Sequence, residues 1–188
     1  MVRSILPLFA FALVASVPAV AAELVPVPQF DSVELRGGGD VTIVPGPAQR
    51  VTIVEGSSRF TRVYVDRHGS LKIDACNEQC PHFYRLRIAI ETPRVPDLGV
   101  SGGGDIAVAP GFAAQRQLSA AVNGGGKVDA REVEAGNVSA AVNGGGALLV
   151  RAASRLSGAV SGGGTVRYWG RPEVTTAIQG GGSVQPGY

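Results

Sequence analysis

The chain has 188 residues, of which 45% are hydrophobic but only 6% aromatic, and its 17 basic and 15 acidic side chains leave a formal charge of +2. That balance gives no electrostatic case for nucleic acid, and so few aromatics imply a thin core of Val, Ile, Leu and Ala. The length suits one domain, and the positive charge is scattered arginine, since Lys72 and Lys127 are the only lysines.

Met1, Val2 and Arg3 make a short positive start. Residues 5–17 are a mostly apolar run, interrupted by Pro7 and Ser16, and Ala19, Val20, Ala21 and Ala22 form a small-residue cleavage site. This is the pattern of a secretory signal peptide over residues 1–22, too short and wrongly flanked for a membrane span. Cleavage is expected after Ala21 or Ala22. The remainder, 23–188, is expected to be one exported domain of the periplasm, cell surface or medium, with no membrane span after signal removal.

Residues 23–96 predict irregular strands in wider coils, at 30–35, 41–44, 51–55, 62–66, 71–75 and 84–91. Turn-formers separate them: Pro45-Gly46-Pro47, Glu55-Gly56-Ser57-Ser58 and His68-Gly69-Ser70. Cys76 and Cys80 stand four apart between two of these strands. In an exported protein a close, even pair reads as a disulfide. The alternative is a metal site from Cys76, Cys80 and His82. A zinc site wants four ligands, and only His68 could complete it, if its turn folds back.

One phrase occurs six times in the chain: aliphatic, any residue, Gly-Gly-Gly, any residue, aliphatic. The triplets start at Gly37, Gly102, Gly124, Gly144, Gly162 and Gly180, so the spacings are 65, 22, 20, 18 and 18 residues. A period near 20 marks stacked coils in which each rung covers its neighbour, and 97–188 read as regular rungs of this kind. Apolar residues alternate with polar ones on both sides of each triplet, as in a half-buried strand. The first and third glycines fall on the buried parity: Gly37 and Gly39, Gly102 and Gly104, Gly124 and Gly126, Gly144 and Gly146, Gly162 and Gly164, Gly180 and Gly182. Glycine weakens a strand, so these positions predict a close approach of two walls or a sharp corner. A phosphate-cradling loop would need a helix after the glycines, and no helical period follows any triplet. Residues 113–117 could hold one turn at most. The expected fold is all-β, a single-stranded, right-handed parallel β-helix with Gly-Gly-Gly turns.

The residue before each triplet is mostly small and polar. Ser101, Asn123, Asn143, Ser161 and Gln179 predict a stacked, hydrogen-bonded ladder on the outer face, which could also serve as a sugar-binding surface. Asp40 and Asp105 follow triplets, but Lys127, Ala147, Thr165 and Ser183 take the equivalent places, which excludes a calcium ladder.

The run Phe30-Asp-Ser-Val-Glu-Leu, then Gly-Asp-Val-Thr-Ile, Val51-Thr-Ile-Val, Leu71-Lys-Ile, Leu86-Arg-Ile-Ala-Ile-Glu-Thr-Pro93 and Leu98-Gly-Val-Ser-Gly-Gly-Gly-Asp-Ile resembles the "putative autotransporter adhesin, head GIN domain" family. The resemblance covers the chain from about Phe30 onward. It implies an exported bacterial β-helical domain with an adhesin role.

Three function classes follow. The first is a non-catalytic adhesin-like, binding or envelope-structural module, whose partner would be a cell-surface glycan or an envelope protein; a homo-oligomer is compatible with it. The second is a polysaccharide-active enzyme, which would need paired carboxylates across a cleft. In the second half only Asp129, Glu132 and Glu134 cluster, on what reads as one connecting loop. The third is the Cys/His metal module. The first class is preferred, with no enzyme activity, no catalytic residues, no metal and no cofactor expected.

Overall fold

The computed structural model describes residues 22–77 and 79–188, so the expected signal peptide lies outside the described residues except for Ala22. The regular structure there is all β. The strands are β1 (Glu23–Val25), β2 (Ser32–Gly37), β3 (Asp40–Pro45), β4 (Arg50–Glu55), β5 (Arg62–Val65), β6 (Ser70–Asp74), β7 (Arg87–Thr92) and β8 (Asp97–Gly102). They continue with β9 (Asp105–Val108), β10 (Gln115–Gly124), β11 (Lys127–Gly144), β12 (Ala147–Gly162), β13 (Thr165–Trp169), β14 (Glu173–Gln179) and β15 (Ser183–Pro186). Together they form one fifteen-stranded sheet, wound around a single core.

Parallel pairing dominates, and the triplets set its register. On the first wall, β2, β8, β10, the end of β11, the end of β12 and β14 stack in that order, with Gly37 beside Gly102, then Gly124, Gly144 and Gly162. On the second wall, β3, β9, the start of β11, the start of β12, β13 and β15 stack in the same way. Each glycine triplet joins a first-wall strand to a second-wall strand. A short return side closes the rung, carrying the buried Val133 and Ala135 within β11.

Stacking like on like fills the core. Val122, Val142 and Val160 lie over one another on the first wall and face Val128, Leu148 and Val166 on the second; all six are at most 2% exposed. β-branched side chains suit this pleated surface. Burial of each such residue contributes about 1.5–3 kcal/mol, so a thin core holds when it runs unbroken through every rung.

The structure changes several expectations. Asp129, Glu132 and Glu134 are not on a loop: they sit inside the continuous strand β11, because Val128, Ala130, Val133 and Ala135 keep pointing inward across the bend. The first glycine of each triplet is not buried with the third. Gly102, Gly144, Gly162 and Gly180 are exposed, with φ between +104° and +113°, and they turn the corner. The third glycines Gly104, Gly126, Gly146 and Gly164 are buried, whereas Gly39 and Gly182, in the first and last triplets, are only half-buried.

The 65-residue gap after the first triplet hides a further rung. β6 runs parallel to β2 and β7 parallel to β3. Residues 70–92 are thus a rung lying against 32–45, and the segment carrying Cys76 and Cys80 stands where other rungs have a triplet. The strand expected at 84–91 starts only at Arg87, because Tyr84 closes a turn by donating its N–H to the Pro81 carbonyl at 3.0 Å. β1, β4 and β5 run antiparallel to their neighbours and cover this end of the coil.

Candidate functional site

The outer face of the first wall is built from three residues per strand. One residue before each triplet stand Ser101, Asn123, Asn143, Ser161 and Gln179, adjacent in register from rung to rung. Asn143 donates its amide Nδ2 to Asn123 Oδ1 at 3.0 Å. Three residues before the last five triplets lie Gly99, Ala121, Ala141, Ala159 and Ala177, a floor with no side chain longer than a methyl; Glu34 takes this place before the first. Five residues before lie Ser32, Asp97, Ser119, Ser139, Ser157 and Thr175. This second polar rail escaped the sequence reading. Its signal lies in the fixed offset of five residues before each triplet.

Strand spacing puts successive rungs about 4.8 Å apart. The result is a flat, ruled surface: small hydroxyls on one side, amides and hydroxyls on the other, methyls between. Ser119 donates its backbone N–H to Asp97 Oδ1 at 3.0 Å, which holds that carboxylate in line with the serines.

The face ends in a charged head, a depression of about 440 Å³ that includes Glu34, Lys72, Gly99, Ser101, Ser119 and Asn123. Glu34 accepts hydrogen bonds from Arg36 Nε at 2.8 Å and from Lys72 Nζ, and Ser101 Oγ reaches it at 3.4 Å. The Arg36 hydrogen bond holds the Glu34 carboxyl below the usual glutamate range. Partial burial opposes this, and Lys72 reinforces it.

A second candidate is the cleft of about 590 Å³ between the first glycine corner and the cysteine segment, lined in part by Asp40, Glu55, His82, Tyr84, Arg87 and Asp105. Cys76 and Cys80 are bonded to each other, so neither offers a thiolate to a metal. Among the described residues no three His, Cys, Asp or Glu side chains are grouped to hold a metal ion. Arg87 Nε lies between Glu55 Oε2 at 3.6 Å and Asp40 Oδ2 at 3.9 Å. The two carboxylates thus share one cation in a solvent-open place. The Tyr84 hydroxyl braces the wall of the cleft: it lies 2.6 Å from Thr61 Oγ1 and receives the Ser57 N–H at 3.0 Å.

Residues 112–172 match the family model described as "Putative auto-transporter adhesin, head GIN domain", the family that the sequence resembles. Among solved structures, the fold is similar to that of a putative adhesin from Bacteroides fragilis NCTC 9343, at 16% identity over 88% of this chain and 96% of that one, with a TM-score of 0.54. A putative adhesin from Parabacteroides distasonis ATCC 8503 aligns at 16% identity over 89% of this chain and 96% of that one, TM-score 0.42. A putative lipid binding protein from the same organism aligns with the same identity and coverage, TM-score 0.37. No curated protein matches the chain. Among the described residues, no helix is long and apolar enough to cross a membrane.

Proposed function

We propose that this chain is an exported, non-catalytic, adhesin-like binding module, a single-stranded right-handed parallel β-helix that uses the outer face of its first wall. The observation that carries this reading is the ruled surface itself: two in-register rails of small polar groups flanking a methyl floor across five rungs. Short hydroxyls and amides on a rigid sheet meet a ligand with little loss of side-chain entropy. A partner of matching chemistry is long, uncharged and rich in hydroxyls, which is a cell-surface glycan. The family match and the adhesin description of the Bacteroides fragilis protein support the same class.

The test is binding of the mature protein to purified envelope polysaccharide and to neutral hexasaccharides, measured by calorimetry. Ala141→Lys, a long charged chain set in the floor, should abolish binding while leaving the circular dichroism spectrum intact. Arg87→Ala in the cleft should leave binding unchanged. Binding that survives Ala141→Lys, or that is seen only with envelope protein, would overturn the glycan reading.

A further inference from the structure

The two ends of the coil are unlike. Where β1, β4 and β5 cover the sheet, Val51, Ile53, Leu71 and Ile73 are at most 1% exposed. At the far end, among the described residues, β14 is bonded only to β12 and β15 only to β13. One edge of each strand therefore turns its N–H and C=O groups outward. The inward column loses its cover at the same place: Val142 is 1% exposed, Val160 2% and Ile178 44%. Exposed edges are usually blunted by lysine, proline or a bulge. β14 has neither residue, and its pairing with β12 runs without a register shift from Glu173 to Gln179.

We infer that this end is closed by a second copy of the chain, the two β14 strands pairing antiparallel about a two-fold axis at Thr176. Two like edges related by a two-fold axis make a closed pair, with no open site left to continue a filament. Full overlap of β14 sets Val174 opposite Ile178 of the other copy, so that the apolar side chains left open in each rung cover one another. Thr175 then faces Ala177, and Glu173 faces Gln179.

Charge fits this arrangement. Glu173, already 3.7 Å from Arg155, does not meet its own copy. β14 runs from the return side, which carries Arg171, to the glycine corner. The two-fold axis therefore lays the charged return side of each copy against the uncharged residues 180–182 of the other. This inference goes beyond the glycan reading: it uses a different surface and leaves the outer face of the first wall free on both copies.

The experiment uses the mature chain in sedimentation equilibrium across the micromolar range. One species of twice the chain mass is expected, with nothing larger. Ile178→Lys should raise the dimer dissociation constant at least about tenfold without altering the circular dichroism spectrum. Thr176→Cys should cross-link to its own copy under mild oxidation, since directly opposed residues bring their Cβ atoms within about 5.5 Å. Thr175→Cys, which faces Ala177, should not. The native cysteines do not interfere, because they are bonded to each other. A monomer at every concentration, a ladder of larger species, or equal cross-linking by both variants would each overturn the inference.

Discussion

Gly145 and Gly146 are neighbours of the same type, and the fold asks opposite things of them. A methyl added at Gly146 would stand 2.5 Å from the Gly126 carbonyl oxygen and against Val122 of the rung below, whereas at Gly145 nothing lies within 4 Å. Gly144 differs again, with φ at +113° and the Gly124 oxygen 2.7 Å from an added Cβ. Gly146→Ala should therefore cost about 1–3 kcal/mol, as overpacking does. Gly145→Ala should stay within about 0.5 kcal/mol, as at an unconstrained surface position. Thermal melts of the two variants check this, and equal melting temperatures would refute the close-approach account. The burial of Gly146 was legible from period-two parity. A sharp corner was expected only as an alternative to close approach at both glycines, because parity records which face a residue takes and does not say which of the two turns the backbone; the turn falls on Gly144.

At the scale of the element, β11 shows why a charged run misleads. Residues 127–136 carry five charged side chains, which reads as a solvated loop, yet their alternate positions are buried and the strand continues. Three of the charges pair along the outer face. Asp129 accepts from Arg131 Nε at 2.8 Å and from its terminal nitrogen at 2.7 Å, with Lys127 Nζ at 3.5 Å. The Arg131 guanidinium also lies 4.9 Å from the Trp169 ring centre, reaching past the rung between them, whose Arg151 pairs with Trp169. Burial pushes the Asp129 carboxyl up, but the Arg131 hydrogen bonds and the two cations outweigh it and hold it below the usual range. A carboxyl lowered in the folded state contributes stability above its unfolded value of about 3.9, and loses that contribution as pH falls through the folded value. Melting temperature should therefore drop on acidification below about pH 4, and Asp129→Asn should flatten that drop while lowering stability at neutral pH. An unchanged acid slope in the variant would show that the pairing carries no net stability.

Over the whole molecule, the order of rungs in space departs from their order in the chain. The rung at 32–45 lies between that at 70–92 and that at 97–108. From residue 97 onward the glycine spacing made the stacking legible. The earlier rung was hidden because its corner has no glycine triplet; the bonded Cys76 and Cys80 stand there instead. Sequence spacing finds repeats only where the same solution to the corner recurs, and here a covalent brace replaces close packing of backbone. This links compartment to stability. Closing so short a loop is worth about 2 kcal/mol on the chain-entropy account, and such bonds are rare in the reducing cytosol. Protein recovered from the envelope fraction should begin at Ala22 or Glu23 by mass spectrometry and show no titratable thiol when denatured. Residue 23 is also where β1 begins its pairing with β4, so a cut there removes no paired strand. A version lacking residues 2–22, held in the cytosol, should show two thiols and melt lower, and oxidation should raise its melting temperature and remove the difference. Equal melting before and after oxidation would mean that the hydrogen bonds of Tyr84 to Ser57 and Thr61 hold this corner by themselves.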